Sequence, residues 1–211
     1  ILPRSSAALL WRLWATNALN GTAVGMFGPF VSYWFYRRYG VGAATIGELY
    51  AVISAATTVA NLSAAGLGRK WGLIRTATGF RLAQAALLVP MVFAPTFALA
   101  GATYLVRMLA QRVSMPLRQS YVMAMADPAE RARVAALSRL TSQGTSAGSP
   151  ALAGELFDHV ALAAPFLVGA ALQMASAIAY FAFFHQRPPE EEAGPGPPLD
   201  PEPAGAIDPG G

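Results

Sequence analysis

Arg107, Gln111 and Ser114 fall at i, i+4 and i+7, so they share one face of any helix drawn through 97–125. A guanidinium beside an amide and a hydroxyl can bind an anionic or polar solute, or it can tie packed helices together. Arg107 lies midway along an apolar run. A central arginine costs roughly 2.5–3.5 kcal/mol on insertion scales, so it should face a cavity or a partner rather than lipid. A second stripe places Trp14, Asn17, Gly21 and Gly25 on one face, with Asn20 beside it. Amides among glycines read either as a cavity wall or as a hydrogen-bonded helix contact. Gln143 and Ser146 are further candidates for a solute path. Glu48 reads as interfacial, Asn61 sits nearer the inner end of its run, and Glu155 is a candidate partner for Arg37 or Arg38. Arg81, with Gln84 after it, is expected to snorkel toward an interface.

Other chemistries have no constellation here. There is no cysteine, so thiolate metal sites, disulfides and thiol catalysis are out. The two histidines, His159 and His185, have no cluster of His, Asp or Glu around them, and no metal site is expected. No Ser/His/Asp set, paired carboxylates or phosphate-cradling loop is visible in the apolar runs, so no enzyme and no cofactor are expected. No acid sits clearly at the middle of a run, where a proton- or sodium-coupled carrier would want one.

The elements that must hold these residues follow from the distribution of apolar residues. Of 211 residues, 55% are hydrophobic and 12% charged, and mean hydropathy is +0.41. Such a charge content is about half that of a soluble domain. Six apolar spans are read, about 9–36, 46–67, 74–94, 97–125, 134–157 and 160–184. At about 1.5 Å per residue, each is long enough to cross ~30 Å of hydrocarbon as a helix. The runs lack the alternation of a membrane barrel, so the fold class is all-α. Glycine and alanine in "GTAVGMFG" and "GTSAGSPALAG" suit close helix contact in lipid.

Residues 1–187 form the transmembrane domain and carry all fifteen Lys/Arg against five acids. Those cations flank apolar spans, a membrane pattern rather than a nucleic-acid one. One set of ends holds ten of them and the other only Arg37 and Arg38. The first set is therefore assigned to the cytoplasm, with both termini inside and the chain in the plasma (inner) membrane. Residues 188–211 hold six acids, no base and eight of the sixteen prolines, and are predicted to be a disordered cytoplasmic tail. The first residue, Ile1, leaves open a fragment or a processed chain.

Three stretches carry a resemblance to the major facilitator superfamily. "AGLGRKWGLIRT" resembles its signature turn, with Leu67, Lys70 and Gly72 at matching positions and Arg69 where an Asp is expected; Arg75 follows. "YLVRMLAQR" resembles the fourth-helix signature through Arg107 and Gln111. "GTSAGSPALAG" resembles the fifth-helix Gly-Pro pattern of exporters through Gly144, Gly148 and Pro150. The resemblance covers about 9–187 and implies the C-terminal six-helix half of a 6+6 carrier, built as a 3+3 inverted repeat. It further implies a secondary carrier of a small solute working by alternating access, with efflux one direction. Asn17, Asn20, Arg107, Gln111 and Gln143 would line the path, and Leu67, Arg69, Lys70, Gly72, Arg75, Gly144, Gly148 and Pro150 would serve gating or structure. Its partners would be membrane lipid, a small-molecule substrate, and a missing N-terminal half or a second copy. A non-transporting six-helix scaffold or membrane enzyme, and a half-size carrier that homodimerises, stand as alternatives.

Overall fold

The structure, a computed structural model, describes residues 4–71, 73–125 and 131–184. They form helices α1 (Arg4–Phe27), α2 (Val31–Tyr39), α3 (Ala43–Trp71), α4 (Leu73–Ala86), α5 (Leu88–Phe93), α6 (Phe97–Met125), α7 (Arg131–His159) and α8 (Ala164–Phe184), with a 3₁₀ turn at Gly28–Phe30. No strand occurs among the described residues. Residues 126–130 and 185–211 lie outside them, as do Gly72 and the side chains of Leu67, Arg69 and Lys70.

Local chemistry sets the boundaries. Pro29 lies in the 3₁₀ turn that separates α1 from α2. Gly40 ends α2 with φ 68°, a left-handed conformation that glycine adopts without a Cβ penalty, and its N–H donates to the Tyr36 carbonyl at 2.9 Å. Pro90 has no N–H for the Ala86 carbonyl, and α4 stops at Ala86. The N–H groups of Leu87 and Met91 still donate to Ala83 (2.9 Å) and Leu87 (3.3 Å), so helical hydrogen bonding carries across the break. At the start of α6 the Thr96 hydroxyl accepts from the Leu99 N–H at 3.3 Å, an N-cap. The basic stretch expected to turn at 64–76 stays helical through Trp71. Alanine, leucine, arginine and lysine are good helix formers, and cations suit a helix C-terminus.

The helices pack in a defined pattern: α1 lies against α7 and α8, α6 against α3 and α4, and α4 against α8. Large apolar side chains face outward, among them Trp11, Val52, Phe93, Leu99 and Ile178. Polar side chains sit inside, among them Asn17, Arg81, Arg107 and Gln173. That is the reverse of a water-soluble bundle. Among the described residues two stretches are long and apolar enough to cross a membrane on length and composition, Arg75–Phe93 and Ala164–Phe183. α7 is diluted by Thr141, Ser142, Gln143, Thr145, Ser146 and Ser149.

Aromatic rings fill the region around α2. Phe166 stands 5.3 Å from Trp34 and 6.1 Å from Phe27, Phe35 stands 5.3 Å from Phe97, and Phe30 stands 5.0 Å from Phe157 (ring centroids). The Phe35–Phe97 and Phe30–Phe157 pairs are edge-to-face, a geometry that adds to plain area burial. Tyr39 donates to the Ala94 carbonyl at 2.9 Å. Burial pushes the pKa of Tyr39 up, against the pull of Arg38.

The closest helix contact is between α1 and α7, and the residues that make it close are Gly21 and Gly25. A Cβ at Gly21 would meet the Ser142 carbonyl and the Thr145 hydroxyl, and one at Gly25 would meet the Ser146 backbone. Gly144 and Gly148, expected to serve this purpose from α7, have nothing within 4 Å of a Cβ. Pro150 lies within α7 without breaking it. Its missing N–H frees the Ser146 carbonyl; the Ser149 hydroxyl donates chiefly to the Thr145 carbonyl at 2.5 Å and lies 3.4 Å from that of Ser146.

Candidate functional site

Five helices bring polar side chains together in the interior. Arg107 on α6 is 2% exposed. Its Nη1 donates to Gln111 Oε1 at 3.4 Å and its Nη2 to Gln173 Oε1 at 3.5 Å. Its guanidinium carbon lies 4.5 Å from the centroid of the Phe27 ring and 5.9 Å from that of Tyr104. Gln173 Nε2 in turn donates to Asn20 Oδ1 at 3.5 Å. The same oxygen accepts from Arg81 Nη2 at 3.2 Å. Arg81 Nη2 also donates to Ser176 Oγ at 2.7 Å, and Ser176 donates to the Thr16 carbonyl at 2.7 Å. A continuous polar network therefore runs from α6 through α8 and α1 to α4.

Two further bonds fasten α6 to its neighbours. Arg118 Nη1 donates to Asn17 Oδ1 at 2.7 Å, and Ser114 donates to the Ala77 carbonyl at 3.1 Å. The acceptors found for these arginines are neutral amides, a hydroxyl and a thioether. Among the described residues the one ion pair is His159–Glu155, 3.4 Å apart and largely exposed. Glu155 thus meets the histidine one turn on, rather than Arg37 or Arg38.

Two hollows open beside the network. A cavity of about 160 Å³ is lined by Asn20, Arg81, Gln84, Gln111, Arg118 and Gln173 with parts of α1 and α7. A wider recess of about 520 Å³ lies between α1, α6 and α7 and takes in Asn17, Arg118, Arg139 and Gln143. Met115, Arg118, Ser142 and Ser146 line both. Of the five residues expected on a solute path, Asn20 and Gln111 line the cavity, and Asn17 and Gln143 line the recess. Arg107 lines neither; it stands behind Gln111 and Gln173 and fixes both amides.

Sequence reasoning set two arginines elsewhere. Arg81 was expected to snorkel, but it is 3% exposed. It reaches Asn20 and Ser176 instead of an interface, because a desolvated guanidinium needs acceptors and α1 and α8 supply them. Arg118, within the span 97–125, counted with the cations at the span ends, but its guanidinium turns to Asn17 on α1. Gln173 and Ser176, both buried, were not singled out at all. The available signal was their i, i+3 spacing as polar residues in an otherwise apolar helix. Arg75 is exposed near the start of α4.

A bundle that is apolar outside and polar within, hollowed beside buried arginines, has the form of a membrane transport protein. The chain matches the model of the Major Facilitator Superfamily over residues 13–206, and it belongs to that family. It is accordingly an integral membrane protein and a secondary transporter in the general sense; members of the family are transporters rather than enzymes. No curated protein matches it closely enough to count as a relative.

Proposed function

We propose that this chain carries a small solute across the plasma membrane by alternating access, as the C-terminal six-helix half of a 6+6 carrier. In this reading α1 with α2, α3, α4 with α5, α6, α7 and α8 each cross the bilayer, and both termini are cytoplasmic. The observation that carries the reading is the pair of adjacent hollows at the polar network, which share lining residues. Met115, Arg118, Ser142 and Ser146 line both, so in this reading the passage from recess to cavity runs between them. Asn17, Asn20, Gln111 and Gln143 line that passage, and Arg107 holds it in shape. The packing pattern supports a 3+3 repeat. Exchanging the first three membrane-crossing units with the last three turns the α1–α7 contact into α6–α3 and the α1–α8 contact into α6–α4, and leaves α4–α8 unchanged. Leu67, Arg69 and Lys70 at the end of α3, Gly72 after it and Arg75 at the start of α4 are assigned to the cytoplasmic helix ends that hold the gate, and Gly144, Gly148 and Pro150 to the bending of α7.

The test is transport by the complete protein in proteoliposomes, screened with labelled small solutes. Asn20→Ala and Gln111→Ala should lower the rate for the transported solute by about tenfold or more, the cost of a lost polar contact in a desolvated site. Rates per inserted molecule equal to wild type in both variants would remove the cavity from the path.

A further inference from the structure

Among the described residues, the arginines of this site have amide, hydroxyl, thioether and ring partners but no acid. Arg81 and Arg118 both line the 160 Å³ cavity. Arg81 is 3% exposed, and its Nη1 finds no protein acceptor. Gln84, 4% exposed and lining the same cavity, has an unpartnered Oε1, and an amide of this kind can present either its oxygen or its nitrogen to a ligand. Arg107 stands close behind, with its Nε also unpartnered. Ring faces temper the charge, since Arg81 lies 5.4 Å from the centroid of Tyr180. A ring quadrupole attracts a cation without neutralising it. Arg139, on the recess, adds a cation on the way in. Buried cations without counter-charge are costly unless water or an anion joins them.

We propose that the solute carried at this site is a small anion bearing a carboxylate or phosphate group, held between Arg81 and Arg118 with Asn20 and Gln84 as neutral partners. The proposal rests on the carrier reading above and specifies its substrate class. A guanidinium offers parallel N–H donors matched to a carboxylate or phosphate edge. A cation would meet two like charges there, and a neutral sugar would leave those charges uncompensated. Arg118 lines both hollows, so it can take the anion first in the recess and then share it with Arg81.

The experiment measures binding and transport separately on the complete protein, purified from membranes in mild detergent. Binding is followed by thermal shift and calorimetry at fixed ionic strength. The probes are succinate, benzoate and inorganic phosphate, with choline and mannitol as counter-probes and dihexanoyl phosphatidate as a soluble lipid headgroup. At least one of the three soluble anions should stabilise the protein, and choline and mannitol should not. Arg81→Gln and Arg118→Gln should weaken that binding by about tenfold or more, the cost of a lost charge-assisted hydrogen bond. Arg37→Gln, at the other end of the bundle, should leave it unchanged. Should either Gln variant fail to fold, Arg81→Lys and Arg118→Lys keep the charge and should still select anions, more weakly. No response to any of the three anions, equal response to choline or mannitol, or full binding in the arginine variants overturns the proposal. A response to dihexanoyl phosphatidate alone overturns it in favour of a lipid site. Counterflow in proteoliposomes then separates the two readings. Anion binding without flux sinks the carrier reading and leaves the anion site standing, whereas flux of choline or mannitol without anion binding upholds the carrier and overturns the anion site.

Discussion

Arg107 touches neither hollow, yet it sets the positions of two amides that bear on the network, Gln111 and Gln173. Replacing it with Lys keeps the charge and loses the planar fork, so both amides cannot be held at once. Arg107→Lys should therefore lower transport per inserted molecule about tenfold, as one charge-assisted hydrogen bond is lost, and Arg107→Ala should lower it further. Surface labelling normalises the rates; losses that merely follow protein level would make Arg107 structural only. At this scale the sequence was partly legible. Asn20 and Gln111 stood out because amides in apolar runs need partners. Arg81 and Arg118 did not, because a helical run shows which residues share a face but not which face turns inward. The partners that settle this, Asn17 and Ser176, lie 101 and 95 residues away in the chain.

Helix rather than strand was readable from run length alone, and the chain is helical throughout its described elements. Finer features came from residues whose effect depends on a neighbour. Pro90 interrupts one helix, whereas Pro116 and Pro150 sit inside α6 and α7 without stopping them. Beside Pro150 the Ser149 hydroxyl bonds back to the Thr145 carbonyl at 2.5 Å, within the same turn of α7. The glycine pattern of "GTSAGSPALAG" suggested that α7 supplies the smooth surface. Instead α1 supplies glycines, and α7 supplies a carbonyl and hydroxyl ridge for them to ride on. Gly25→Ala should thus destabilise the bundle by roughly 1–3 kcal/mol, the range for overpacking, because its Cβ would strike backbone that cannot rotate away. Gly144→Ala meets open space and should change the thermal midpoint in detergent little. A midpoint for Gly25→Ala at or above wild type would contradict the contact.

For the molecule as a whole, orientation rests on the Lys/Arg asymmetry. Arg118 is engaged inside α6, but the remaining cations still favour the same set of ends. Single cysteines at Gly68 and Ala132 should be shielded from an impermeant thiol reagent applied to intact cells, and one at Gly42 should react. The opposite labelling would invert the topology. Deleting Pro189–Gly211 should leave expression and transport at wild-type levels, given the tail's proline and acid content; loss of either would reveal a specific binding role. The guanidinium groups that lack acidic partners have one more consequence, which concerns voltage. An elementary charge moved through a full 100 mV is worth about 2.3 kcal/mol. An empty site is cationic and one holding a monovalent anion is less so, so the membrane field pulls unequally on the two forms as the bundle rocks. In the proposed cycle, with the cell interior negative, the field favours the inward return of the empty site more than it opposes the outward stroke of the loaded one. The resting potential would then favour export of the anion over its import, with no second ion to drive it.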